Sequence, residues 1–170
     1  MFNHLRCVLI FTLVISFACL ASVQPARADG CFGLTSLGTT YTQNFDTLAT
    51  GGTTNATSTL PLGWTLTETG GGTRDNEQYA TDDGGSNTGD TYSFGATSNS
   101  ERAFGGLQSA TLIPVIGVCF TNNTGSTLNS LRIVYTGEEW RFGATGRTDQ
   151  LDFQYRPQCH LLNHRHVDRC

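Results

Sequence analysis

The sequence contains no lysine; all ten basic residues among its 170 are arginine. Charge of either sign is scarce, at 14% of residues against about a quarter in average proteins. The formal net charge is −4. So little positive charge excludes the electrostatic footprint of a nucleic-acid binder, and no nucleic-acid partner is expected. Helical periodicity is missing after the first thirty or so residues. There is no Gly-x-Ser-x-Gly elbow, no phosphate loop and no dinucleotide fingerprint. Histidine is confined to the two ends, at His4 and at His160, His164 and His166. A serine or cysteine hydrolase would therefore have to take its base from those ends.

One long apolar run is present, Cys7 to Val23. It follows a short basic start with His4 and Arg6 and precedes Pro25-Ala26-Arg27-Ala28. That order, with small residues at the two positions a signal peptidase reads, marks residues 1–28 as an export signal cleaved after Ala28. The chain is expected to be secreted or held at the cell surface, with no membrane span after cleavage. A membrane anchor is the weaker alternative, because the run is near the lower length limit for a span.

Residues 29–155 read as one β-rich module. Tyr41, Gln43 and Phe45 alternate with Thr42 and Asn44. Trp64, Leu66 and Glu68 alternate with threonines, and Thr91-Tyr92-Ser93-Phe94 is short and aromatic. Val115 to Phe120 is a continuous apolar run, as in a strand buried on both faces. Leu131, Ile133 and Tyr135 alternate with Arg132 and Val134, and Leu151, Phe153 and Tyr155 with Asp152 and Gln154. Period-two alternation places one set of side chains on a core face. Gly51-Gly52, Gly70-Gly71-Gly72, Gly84-Gly85 and Asn123-Thr124-Gly125 punctuate the runs. Two long loops are expected, Leu48 to Leu60 and Gly70 to Asp90. The fold expected is all-β, an antiparallel β-sandwich or jelly roll.

Several motifs carry a likeness. They are Asn44-Phe45-Asp46-Thr47-Leu48, Leu60-Pro61-Leu62-Gly63-Trp64, Gly89-Asp90-Thr91-Tyr92-Ser93-Phe94-Gly95, Ser100-Glu101-Arg102-Ala103-Phe104-Gly105, Asn122-Asn123-Thr124-Gly125 and Tyr135-Thr136-Gly137-Glu138-Glu139-Trp140-Arg141. In order and spacing the stretch from Tyr41 to Tyr155 resembles an N-terminal β-sandwich module of large bacterial secreted and surface proteins. In such proteins the module precedes an extracellular endonuclease/exonuclease/phosphatase domain, a lamin-tail domain or a PEP-CTERM sorting signal. The family module continues through further strands, whereas here residues 156–170 change composition abruptly. Back-translated and read one base later, with permitted codon choices, that tail gives a threonine-rich sequence like the family's continuation. The resemblance therefore implies a truncated or frameshifted chain, a sandwich incomplete at its C-terminus, and activity, if any, in a neighbouring domain.

The chemistry-bearing residues divide between site and scaffold. Cys159, His160, His164, His166 and Cys170 are ligand types without a standard zinc-finger spacing. Asp82, Asp83, Asn87 and Asp90 offer hard oxygens to calcium, the one cofactor considered, although a solvated glycine-rich loop is the preferred reading. Glu101 and Glu138, with Glu139 nearby, are the pair a glycoside hydrolase would use. Each also lies next to an arginine, so structural ion pairs among Glu101, Arg102, Glu138 and Arg141 are preferred. Trp140 is the candidate for an exposed ligand-binding aromatic, while Trp64, Tyr79 and Tyr92 read as core. Cys31 and Cys119 form either a bridge favoured by export or a pair of free thiols. The expectation is a non-catalytic extracellular module for adhesion or substrate targeting, with an extracellular glycan or cell-surface component as partner. The alternatives are the leading part of a secreted nuclease or phosphatase and a glycosidase using Glu101 and Glu138.

Overall fold

The computed structural model describes residues 30–146 and 148–156. The expected export signal with its expected cleavage site, and the Cys/His tail from Cys159 to Cys170, lie outside the described residues. Within them the fold is all-β, with one short 3-10 turn at Thr57–Thr59. A four-stranded sheet holds β2 (Asn55–Ala56), β4 (Gln78–Asp82), β5 (Asp90–Phe94) and β6 (Ala103–Leu107) in that order. A second pair joins β3 (Trp64–Thr69) to β7 (Ile113–Val118), and a third joins β1 (Phe32–Leu34) to β8 (Phe120–Asn122).

The expected antiparallel pairing holds for β2·β4, β3·β7 and β5·β6, but β4·β5 and β1·β8 run parallel. The chain returns from β4 to β5 through Asp83–Gly89 alone, a short path for a parallel crossover. Glycines at Gly84, Gly85 and Gly89 make so tight a return feasible. They also made the whole stretch from Gly70 to Asp90 read as loop, which hid β4.

The core has two parts, one on each face of the four-stranded sheet. Leu48, Leu60, Leu66, Tyr79 and Phe104 pack together, with Phe45, Trp64 and Ile116 against them. Ala80, Tyr92 and Phe94 form the other part, under Ala103, Leu107 and Trp140. Strand β5 is buried along its whole length because β4 and β6 flank it and both faces are covered. Tyr79 is fully buried and its hydroxyl is satisfied. The Ala49 amide donates to it at 3.3 Å, and it shares a hydrogen bond with Thr59 Oγ1 at 2.8 Å.

Four strand expectations are corrected. The run from Val115 to Phe120 is not buried on both faces. Ile113 and Val115 are about half exposed while Ile116 packs inward, because β7 has a layer on one side only. Tyr41 to Phe45 is not a strand: Phe45 has φ 64°, and Asn44 Oδ1 and Gln43 Oε1 accept local amides in a turn. Leu131–Tyr135 and Leu151–Tyr155 alternate as strands do but are not strands. No ladder partner flanks either one among the described residues, and their apolar side chains are exposed.

Cys31 and Cys119 are joined by a disulfide. It adjoins the parallel β1·β8 ladder, where Phe32 pairs with Phe120 and the Phe32 amide donates to the Cys119 carbonyl at 2.8 Å. Tyr41 packs on both Phe32 and Phe120, and its hydroxyl accepts from Trp64 Nε1 at 2.9 Å. The bridge thus fastens the start of the module to the end of its last long strand.

Candidate functional site

The polar residues singled out in the sequence fall in three places. The first is the return loop from β4 to β5. Asp82 accepts from the Gly84 and Ser86 amides at 2.9 and 3.2 Å, and Asp83 Oδ1 accepts from the Gly85 amide at 3.1 Å. These short-range bonds hold a tight turn, as Asp does in loops. The loop's outward oxygens are then taken by Arg141. Its guanidinium donates to the carbonyls of Gly85 and Ser86 at 3.3 and 2.6 Å, and also to Asn87 Oδ1.

Asp82, Asp83 and Asp90, three of the four calcium candidates, are not grouped as metal ligands would be among the described residues. Asp82 and Asp83 spend oxygens on backbone amides, and Asn87 serves Arg141. Asp90 sits apart, buried beside Arg74. Of these four, only Asn87 meets the Arg141 guanidinium, whose other loop partners are main-chain carbonyls. Among the described residues no group of three or more His, Cys, Asp or Glu side chains is placed to hold a metal.

The neighbouring Trp140 is not a free platform either. It is half-buried and stacks on Phe94 with ring planes 9° apart and centroids 6.3 Å apart. Its Nε1 donates to Glu138 at 3.0 Å. Gly84 has φ 93°, and a Cβ there would collide with the Trp140 carbonyl. Glycine at this position therefore lets residues 140–141 close over the sheet.

The second place is buried beneath the loop at residues 70–78. Glu68 of β3 reaches β5, where its Oε1 accepts from the Thr91 hydroxyl at 2.7 Å and the Thr91 amide at 3.0 Å. Its Oε2 accepts from the Asn76 and Glu77 amides at 3.2 and 3.1 Å. A single carboxylate so joins two layers and a loop. Asp90, also buried, has Arg74 Nη1 3.1 Å from its Oδ2. That contact is close enough for Coulomb attraction but not aligned as a hydrogen bond, since Oδ2 lacks a hydrogen-bond partner. Burial first, and then the charge of Glu68, push the Asp90 carboxyl up to about 7 against the pull of Arg74. Burial likewise raises the Tyr92 phenol.

The third place corrects the expected ion pairs. Arg102 is buried, and its guanidinium is held by Ser93 instead of a glutamate. Its Nε donates to Ser93 Oγ at 2.8 Å and its Nη2 to the Ser93 carbonyl. Ser93 Oγ in turn donates to the Ala49 carbonyl at 2.9 Å. Desolvation lowers the Arg102 pKa, yet the guanidinium stays charged. Glu101 is exposed, and Glu138 serves Trp140 rather than Arg141. Neighbours along an extended chain point to opposite sides, so Glu101 and Arg102 cannot share a face.

Two open depressions are present. One of about 540 Å³ is lined by Asn122, Gly125, Ser126, Thr127 and Leu128. One of about 270 Å³ is lined by Thr50, Thr81, Asp82, Asp83, Gly95, Thr97 and Arg102. Neither of these two is lined by Glu101 or Glu138. Comparison with family models, curated proteins and solved structures found no match.

Glu68, Arg74 and Ser93 were not singled out in the sequence. A glutamate at an inward position of β3, in phase with Trp64 and Leu66, was the available signal for Glu68. Arg74 and Ser93 carried none, because each acts through a partner far away in the chain.

Proposed function

We propose that the chain is a non-catalytic extracellular β-sandwich module of a secreted bacterial protein, serving adhesion or substrate targeting toward a glycan or other cell-surface component. The observation that carries this reading is the Cys31–Cys119 bridge, which suits an oxidising compartment and agrees with the export signal at residues 1–28. The deployment of the polar groups supports it further. Glu68, Asp82, Asp83, Arg102 and Arg141 are all spent on holding loops and strands together. The resemblance of Tyr41 to Tyr155 to the N-terminal module of bacterial secreted and surface proteins points the same way.

The test is a binding assay of the exported chain against cell-surface polysaccharides, run beside a reducing-sugar assay. Binding without hydrolysis, unchanged in Glu138→Gln, is the expected result. Sugar release by the wild type that is lost in Glu138→Gln would establish the glycosidase instead. The exposed apolar side chains between 131 and 155 favour a second reading, the leading portion of a secreted nuclease or phosphatase. An open shifted reading frame downstream of the Tyr155 codon, encoding clustered metal-binding Asp, Asn and His, would support that portion; an in-frame stop after Cys170 with no such frame would remove it.

A further inference from the structure

Two stretches of strand-like sequence, around Ile133 and around Phe153, lie together on the surface without forming a sheet. Leu131, Ile133, Tyr135, Leu151, Phe153 and Tyr155 are each between 49% and 80% exposed. They occupy alternate positions, so an extended chain would put each set of three on one face. Tyr135 and Phe153 already stack, with ring planes 18° apart and centroids 6.2 Å apart, which holds the two stretches side by side. No ladder hydrogen bonds occupy either stretch among the described residues, so their backbone groups remain available to another strand. Contiguous exposed apolar surface of this kind marks an interaction site.

We propose that this surface takes a second copy of the same chain, paired antiparallel about a two-fold axis at Phe153. Charge and area select that occupant. In the two-fold register Leu151 faces Tyr155 of the second copy, Asp152 faces Gln154, and Gln150 faces Arg156. No like charges meet, and the apolar residues meet one another. Parallel in-register stacking would instead place Asp152 on Asp152 and Arg156 on Arg156 in every layer, which opposes open-ended fibres. The antiparallel pairing closes on itself, as an isologous dimer does. Six such side chains from each copy would bury on the order of 1,200 Å² together, the lower end of specific interfaces. The proposal does not rest on the adhesion reading.

The test is sedimentation velocity on the exported chain, from about 1 to about 100 μM, a range that spans a micromolar dissociation constant. The wild type is expected to pass from monomer to a closed dimer. Phe153→Lys and Phe153→Asp each set two like charges across the axis and weaken the dimer at least thirtyfold (about 2 kcal/mol). An equimolar mixture of the two variants restores association, because Lys then faces Asp. Val115→Lys, an equally exposed change on β7, leaves the dimer intact. The mixture also controls for folding, since two misfolded variants would not rescue each other. A wild type that stays monomeric throughout, open-ended oligomers, or a mixture that fails to restore the dimer would each overturn the proposal. A monomer that gains a stable complex only with a foreign strand would reassign the surface to that partner and overturn it as well.

Discussion

Strand β5 and the stretch Leu131–Tyr135 invite comparison. The second has the stronger strand composition, with Ile133, Val134 and Tyr135 in a row, whereas β5 is Asp-Thr-Tyr-Ser-Phe. Yet β5 is buried at every residue, and Leu131–Tyr135 is exposed at every residue. The difference lies in the neighbours. Flanked by β4 and β6, β5 has every backbone group in reach of a ladder, Glu68 and Arg102 hydrogen-bond Thr91 and Ser93, and Arg74 places its charge beside Asp90. The later stretch has only the Tyr135–Phe153 stack. Strand propensity is a statement about fitting a half-buried pleated surface, and without that surface it builds nothing.

The largest change to this contrast is expected from Cys119→Ser. The bridge spans 88 residues and encloses every strand from β1 to β7, all of the well-packed part of the chain. Closing a loop of that length in the unfolded chain is worth about 4.6 kcal/mol on the entropic account. Denaturant unfolding should show a loss of that order, while the already exposed stretch from 131 to 155 gives no matching signal. A loss below about 1 kcal/mol would mean that hydrophobic packing alone separates the two regions.

A smaller effect concerns pH. Asp90 has its folded pKa raised from 3.8 to about 7, so between those values the folded state holds a proton that the unfolded state has released. Stability therefore falls as pH rises from about 4 to about 7, by roughly 1–3 kcal/mol. Arg74 faces Asp90 from the loop and Glu68 from β3, while Glu77 and Tyr92 complete the ionisable surroundings of the pair. Asp90→Asn keeps the shape and removes the titration, so its unfolding free energy should be flat across that window. A wild type equally stable at pH 5 and pH 7.5 would show that Arg74 compensates the buried charge in full.

What could be read in the sequence follows the same division. The all-β class, β3 and β5 were legible because alternating residues there meet a real core. The aromatic core was legible for Tyr79 and Tyr92, whose size leaves few other uses. Strand β4 was not, because its neighbours Gly84, Gly85 and Asp75 to Glu77 look like loop and its partner β5 is joined in parallel. The contacts of the candidate residues were hidden for a related cause. Asp82, Asp83, Asn87 and Arg141 are cation-site and ion-pair types, but which of them meet depends on residues 140–141 folding back over Gly84, a contact between positions more than fifty apart.

Arg141 is where the two regions join, so its replacement gives the smallest but most selective effect. Arg141 and Trp140 fasten the stretch after Asn122 to the return loop and to Phe94. Arg141→Ala removes a half-buried clamp whose hydrogen bonds to carbonyls are charge-assisted, at a cost of about 1–2 kcal/mol. The cost should be local. Amide exchange is expected to quicken in Asp83–Gly89, and limited proteolysis to reach residues 123–156 sooner, with the exchange of β5 unchanged. The variant also tests whether Arg141 keeps a cation from the loop. With the guanidinium gone, the carbonyls of Gly85 and Ser86 and Asn87 Oδ1 are released, and millimolar calcium should then slow exchange in the loop while leaving the wild type unaffected. If β5 exchanges faster in Arg141→Ala, the later stretch supports the core rather than resting on it, and the two regions form one cooperative unit.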